Sequence, residues 1–143
     1  MPTISLQNRQ RRVRYALRWL RRFAEIALAP CDETTATPLT GEVDVTIVSD
    51  KTIAQVHLDF MGLPEATDVI TFHHGEIVAS AETAQARARE LGHSVEAELG
   101  LYIVHGLLHL KGFDDTSARE AARMHKVQHR IWQACLATLP PPP

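Results

Sequence analysis

The stretch His105-Gly106-Leu107-Leu108-His109-Leu110-Lys111-Gly112-Phe113-Asp114-Asp115 decides how the rest of the chain reads. Its two histidines stand four residues apart in an otherwise apolar run, so on a helix both imidazoles leave one face, one turn apart. Such a pair can chelate one metal ion. Gly112 lies three residues beyond His109, where a helix ends on a residue with left-handed backbone. The chain can then turn back and bring Asp115 to the same point. The pattern is HxxxHxxGxxD, two nitrogen donors and one carboxylate. Three protein donors leave a fourth tetrahedral position open, the layout of a catalytic rather than a structural zinc site. Two core histidines before a helix-stopping glycine would show the same pair, but the third donor at this offset favours the ion. Zinc suits imidazole and carboxylate, and nickel, cobalt or iron also fit the spacing.

The same stretch lacks the glutamate that zinc proteases carry directly after the first histidine as general base; Gly106 stands there. Glu98 lies on the same helical face two turns earlier, and Asp114 adjoins the third donor. Two turns of helix put Glu98 too far from the ion, which leaves Asp114 as a candidate base or supporting group, with no catalytic residue assigned.

Upstream, Ser94 with Glu96 and Glu98 in the first turns opens the helix that carries the histidines. Before it, Ser80 can cap a helix over Ala81–Leu91 that Gly92 stops. Asp68–Phe72 and Glu76–Ser80 read as two strands joined tightly around His73-His74-Gly75. Val43–Val48 alternates apolar and polar residues as a half-buried strand does. Ser49 or Asp50 caps a helix through Phe60, ended by Gly62 and Pro64. Ile4-Ser5-Leu6 reads as a short strand, Pro30–Thr40 as a loop, and about Thr116–Leu136 as the last helix. The expected architecture is one α/β (α+β) domain over residues 1–139, with a disordered proline tail over 140–143.

The 143 residues are 45% hydrophobic and 22% charged, which suits one globular domain and excludes disorder and collagen-like repeats. No apolar run is long enough for a membrane span. Cys31 and Cys135 form no CxxC pattern and no disulfide framework, so a reducing, cytoplasmic setting is expected. The net charge is −2, yet seven of the 15 Lys+Arg fall between residues 9 and 22, with no acid before Glu25. On a helix, Arg11, Arg14, Arg18, Arg21 and Arg22 would share one face, with Val13, Ala16, Leu17, Leu20, Phe23 and Ala24 opposite. Such a stripe fits a solvated face, an organellar presequence or a phosphate-binding surface. Arg119, Arg123, Lys126 and Arg130 form a second stripe.

HGLLHLKGFDD resembles the HGxLHLxGYDH signature of the YbeY family, bacterial metal-dependent endoribonucleases of ribosomal RNA maturation. Thr67–Phe72 resembles the family's TDVLSF, Gly75–Ser80 its GDIVIS, and Ser94–Val104 the helix leading to the first histidine. The resemblance covers about residues 43–115 in order. It implies a zincin-like α/β fold, a small mixed sheet with the metal helix packed on it. It also implies a zinc-dependent endoribonuclease acting on single-stranded or ribosomal RNA, with ribosomal proteins as possible further partners.

Under this resemblance His105, His109 and Asp115 hold the ion, and Arg11, Arg14, Arg18 and Arg21 hold the RNA backbone. Two positions depart from the family. Asp115 replaces a third histidine, which lowers the site's net charge by one; His73, His74, His125 and His129 are the substitute ligands by type. Met61 aligns with an arginine before the TDV motif, and Leu63 and Pro64 replace a lysine and an acid. These departures suggest a second possibility, a ribosome-assembly RNA-binding protein with a structural metal and little or no catalysis.

Overall fold

Alternating side chains along the strands divide the core in two. In the computed structural model, which describes residues 2–143, strand β2 (Glu42–Val48) turns Val43, Val45 and Ile47 to one face of a four-stranded sheet and Val48 to the other. Strand β4 (Glu76–Ser80) repeats this, with Ile77 and Ala79 on the first face and Val78 on the second. The sheet order is β1-β2-β4-β3, where β1 is Thr3–Asn8 and β3 is Val69–Phe72. β1, β2 and β4 run parallel, and β3 runs antiparallel to β4 with Ile70 opposite Val78. Strand β3 is therefore a free edge.

Helix α2 (Asp50–Met61) covers the second face through Ile53 and the half-buried Val56. The first face carries α4 (Val95–Leu110), which α1 (Leu17–Asp32), α3 (Ala81–Leu91) and α5 (Ala118–Thr138) surround. A helix packed on all sides has to be apolar nearly all round, and α4 buries eleven of its 16 residues. Two glycines let it approach its neighbours. A Cβ on Gly100 would lie 2.9 Å from the Phe23 ring, and one on Gly106 would lie 2.7–2.9 Å from three side-chain carbons of Ile77. The expected small mixed sheet, with the helix that carries His105 and His109 packed against it, is thus what the chain builds.

Three serine caps are where the sequence puts them, and α5, which starts two residues after the expected Thr116, adds a fourth: Ser49, Ser80, Ser94 and Ser117 each accept from a backbone N–H three residues on. The arginine-rich N-terminus departs from expectation. α1 starts only at Leu17, so Arg11 and Arg14 lie in an irregular segment and share no helical face with Arg18 and Arg21. Gln10 closes that segment by bonding both backbone groups of Val13, at 2.9 and 3.0 Å. The Ala16 N–H then donates to Glu96 Oε2 at 2.8 Å, which sets a buried carboxylate at the positive end of α1.

The other end of α1 also differs, because it runs through Pro30 to Asp32 rather than stopping before the proline. Pro30 sits in the last turn and forfeits one N–H, while Cys31 is fully buried. Asp32 accepts from Leu39 N–H at 2.7 Å and from Lys111 Nζ at 3.0 Å, which keep its carboxyl below the usual range. These contacts hold the helix end in place. They also tie α1 to the residue that ends α4. At the far terminus, Pro140, assigned by sequence to the tail, accepts a hydrogen bond from Trp19 Nε1 at 2.7 Å.

Candidate metal centre

The end of α4 is built as a Schellman motif. Phe113 N–H donates to Leu108 O and Gly112 N–H to His109 O, both at 3.0 Å, with Gly112 at φ +95°. This reversal returns the Phe113 carbonyl to His109 Nδ1, at 2.9 Å. A carbonyl only accepts, so Nδ1 carries the hydrogen and Nε2 of the neutral ring keeps its lone pair. His105 is set the same way by α5, its Nδ1 lying 2.7 Å from Gln128 Oε1. Burial lowers the His105 pKa from the ordinary 6.5, with the neighbouring His109 adding to the effect against the Gln128 bond. The two Nε2 atoms face each other at 3.0 Å.

Two nitrogens at that separation need a proton or a metal ion between them. Nitrogens each about 2.0–2.1 Å from one ion at a tetrahedral angle would stand roughly 3.3 Å apart. Asp115 Oδ2 lies 3.9 Å from His109 Nε2, and one donor atom from each of His105, His109 and Asp115 falls within 4.8 Å of the others. Asp115 is oriented by Asp114, whose Oδ1 accepts the Asp115 N–H at 2.7 Å. The donor set fits a divalent transition ion, with both imidazoles held through the nitrogen that does not bind it.

The two histidine donors open onto a cleft of about 340 Å³ between the free edge of β3, the end of α2 and α4, lined by His57, Met61, Thr71 and His73 among others. No lysine or arginine lines it among the described residues. Met61, half exposed, stands where the family's arginine was expected.

Other sequence candidates go elsewhere. Glu98 is buried against His93 Nε2 at 2.6 Å, seven residues and about 10 Å of helix before His105, so it is not a base for this site. Asp114 faces a separate cavity with Phe113 and Arg123. His125 and His129 stack on each other on α5, 3.9 Å between centroids, and His74 stacks on Phe72. Arg11 lines a pocket with Arg9, Arg12 and the α2 cap Ser49. Arg21 donates to the Leu6 carbonyl at 3.1 Å, covering β1 at the sheet edge opposite β3. Three strand spacings, about 14 Å, separate those edges. None of the four arginines lines the cleft, so none stands in for the cation missing at Met61. His57 and Gln128 were missed by sequence reading, since neither belongs to a motif.

A mixed four-stranded sheet carrying a helix with paired imidazoles, a returning carboxylate and an open cleft defines a small mixed α/β domain with a candidate metal centre. The chain belongs to the endoribonuclease YbeY family, whose model matches residues 5–135. It is 30% identical over 135 residues to an endoribonuclease YbeY of Heliobacterium modesticaldum, covering 79% of this chain and 81% of that one. It is 33% identical over 142 residues to the namesake of an Anaeromyxobacter species, covering 92% of this chain and 71% of that one. The solution structure of TM1509 from Thermotoga maritima superposes with a TM-score of 0.68 at 24% identity, covering 96% of this chain and 91% of that one, a likeness of fold. No helix among the described residues is long and apolar enough to cross a membrane.

Proposed function

We propose that the chain is a zinc-dependent, single-strand-specific endoribonuclease of ribosomal RNA maturation in the cytoplasm, with His105, His109 and Asp115 as the ligands. The observation that carries this reading is the pair of Nε2 atoms turned on each other at 3.0 Å beside a carboxylate, three metal donors drawn within 4.8 Å. Zinc in that position supplies Lewis acidity toward a phosphodiester oxygen. The protein's own part is to fix both imidazole tautomers, hold Asp115 through its turn and leave a cleft beside them. Arg11, Arg14, Arg18 and Arg21 hold flanking backbone, away from the bond that breaks, as phosphate contacts that position RNA without reading its sequence. The test is cleavage of a labelled single-stranded ribosomal RNA fragment and its duplex by zinc-loaded and chelated protein. Cleavage of the single strand alone, abolished by chelator and restored by zinc, is expected. Equal cleavage with and without metal would overturn the reading.

A further inference from the structure

We infer that His57 is the general base of this chain, taking the place of the glutamate that Gly106 leaves out. The inference rests on the proposed ribonuclease reading and adds a residue to it. His57 sits in the last turns of α2 and is 9% exposed, yet it lines the same cleft as His105 and His109. Its Nδ1 lies 2.8 Å from the backbone carbonyl of Glu65, in the loop that follows α2. Since the carbonyl accepts, Nδ1 holds the hydrogen and Nε2 is the basic nitrogen. Nε2 has no hydrogen-bond partner among the described residues and is not among the buried polar atoms sealed from solvent, so it is free to reach solvent in a residue that lines the cleft.

His57 also stands outside the cluster of donors drawn together by His105, His109 and Asp115, so it shares the cleft with the histidine donors without joining the ligand set. A Cβ at position 106 would already run into Ile77, so no base can reach the cleft from there. The other titratable groups lining the cleft are His73, which is exposed, and the two histidine donors. A buried imidazole with one nitrogen pinned and the other presented is the arrangement a proton acceptor needs.

In the step assigned to it, Nε2 takes one proton from the attacking water as the water oxygen bonds to phosphorus. The bond from phosphorus to the leaving ribose oxygen breaks, and that oxygen keeps the electron pair. The proton then passes from Nε2 to the ribose oxygen, which departs as a hydroxyl. One phosphodiester and one water give one phosphate monoester and one hydroxyl.

The experiment compares zinc-loaded parent, His57→Ala and His57→Asn on a single-stranded RNA. It reads kcat, zinc content and RNA affinity, and then kcat with added imidazole. Expected are a fall in kcat of about 10²–10⁴-fold in both variants, with zinc and RNA binding at parent levels. Added imidazole should raise the His57→Ala rate at least tenfold, the gain following the fraction of unprotonated imidazole as pH rises. His57→Asn keeps a donor for the Glu65 carbonyl and covers the case in which the alanine variant does not fold. Loss of zinc in a folded variant would make His57 a ligand and overturn the inference. So would a kcat within threefold of the parent, or no gain from imidazole over the full pH range. An inactive zinc-loaded parent would instead overturn the ribonuclease reading.

Discussion

His109 donates through Nδ1 to the carbonyl of Phe113, four residues further along and on the other side of the helix terminator Gly112. The same reversal that ends α4 thus fixes the tautomer of the second imidazole and starts the turn that delivers Asp115. Helix termination and site assembly are one local event.

The ligand set is checked by metal content. Parent protein is expected to carry about one zinc per chain, and His109→Ala to lose it, since two remaining donors rarely retain the ion. Asp115→His should keep the ion and move the pH–rate profile to lower pH, because a neutral imidazole in place of a carboxylate leaves more positive charge at the site. An unchanged profile with unchanged zinc would remove Asp115 from the set.

Gly106 is required by packing. Gly106→Ala places a Cβ within 2.9 Å of both branches of Ile77, a fully buried β-branched residue that no single rotamer change can clear. Destabilisation of about 1–3 kcal/mol is expected from overpacking, measured by urea unfolding. Ile77→Ala in the same chain should recover part of that loss in a double-mutant cycle. Additive losses would mean the contact is not the cause.

Burial of His105 gives the metal-free chain a pH dependence of defined sign. Its folded pKa lies below the ordinary 6.5, so between those two values the unfolded chain binds more protons than the folded one. The His105 contribution is therefore fully present above pH 6.5 and is lost as pH falls through the lowered value. In chelator, the urea midpoint should drop between pH 7.5 and pH 5, and His105→Gln should flatten that drop. An identical slope in the variant would assign it to other groups.

The arginines are checked by salt. If Arg11, Arg14 and Arg18 contact phosphates, log K for single-stranded RNA falls with log[salt] by about 0.7 per contact. Replacing Arg11 and Arg14 by glutamine should make the slope shallower by roughly 1.4 and leave zinc content unchanged. Arg21→Gln should change the slope least, because its guanidinium is already bonded to the Leu6 carbonyl. A double variant with the parent slope would make the segment a solvated surface.

The chain's local chemistry settled most of the frame. Serines before polar first turns marked the starts of α2, α3 and α4, and glycines at positive φ closed the same three helices. The spacing of His105, His109, Gly112 and Asp115 was enough to bring three donors together, since a helix turn and its terminator are local geometry. Tertiary structure decided the rest. Residue periodicity drew the first helix back to Arg11, whereas the Glu96 carboxylate, 80 residues away, marks its start at Ala16. Gln128 orients His105 across 23 residues of sequence, and His57 enters the cleft only because the end of α2 and the end of α4 line the same opening beside β3. Contacts of that range depend on how elements stack, and stacking leaves no repeating pattern in the residues that make it.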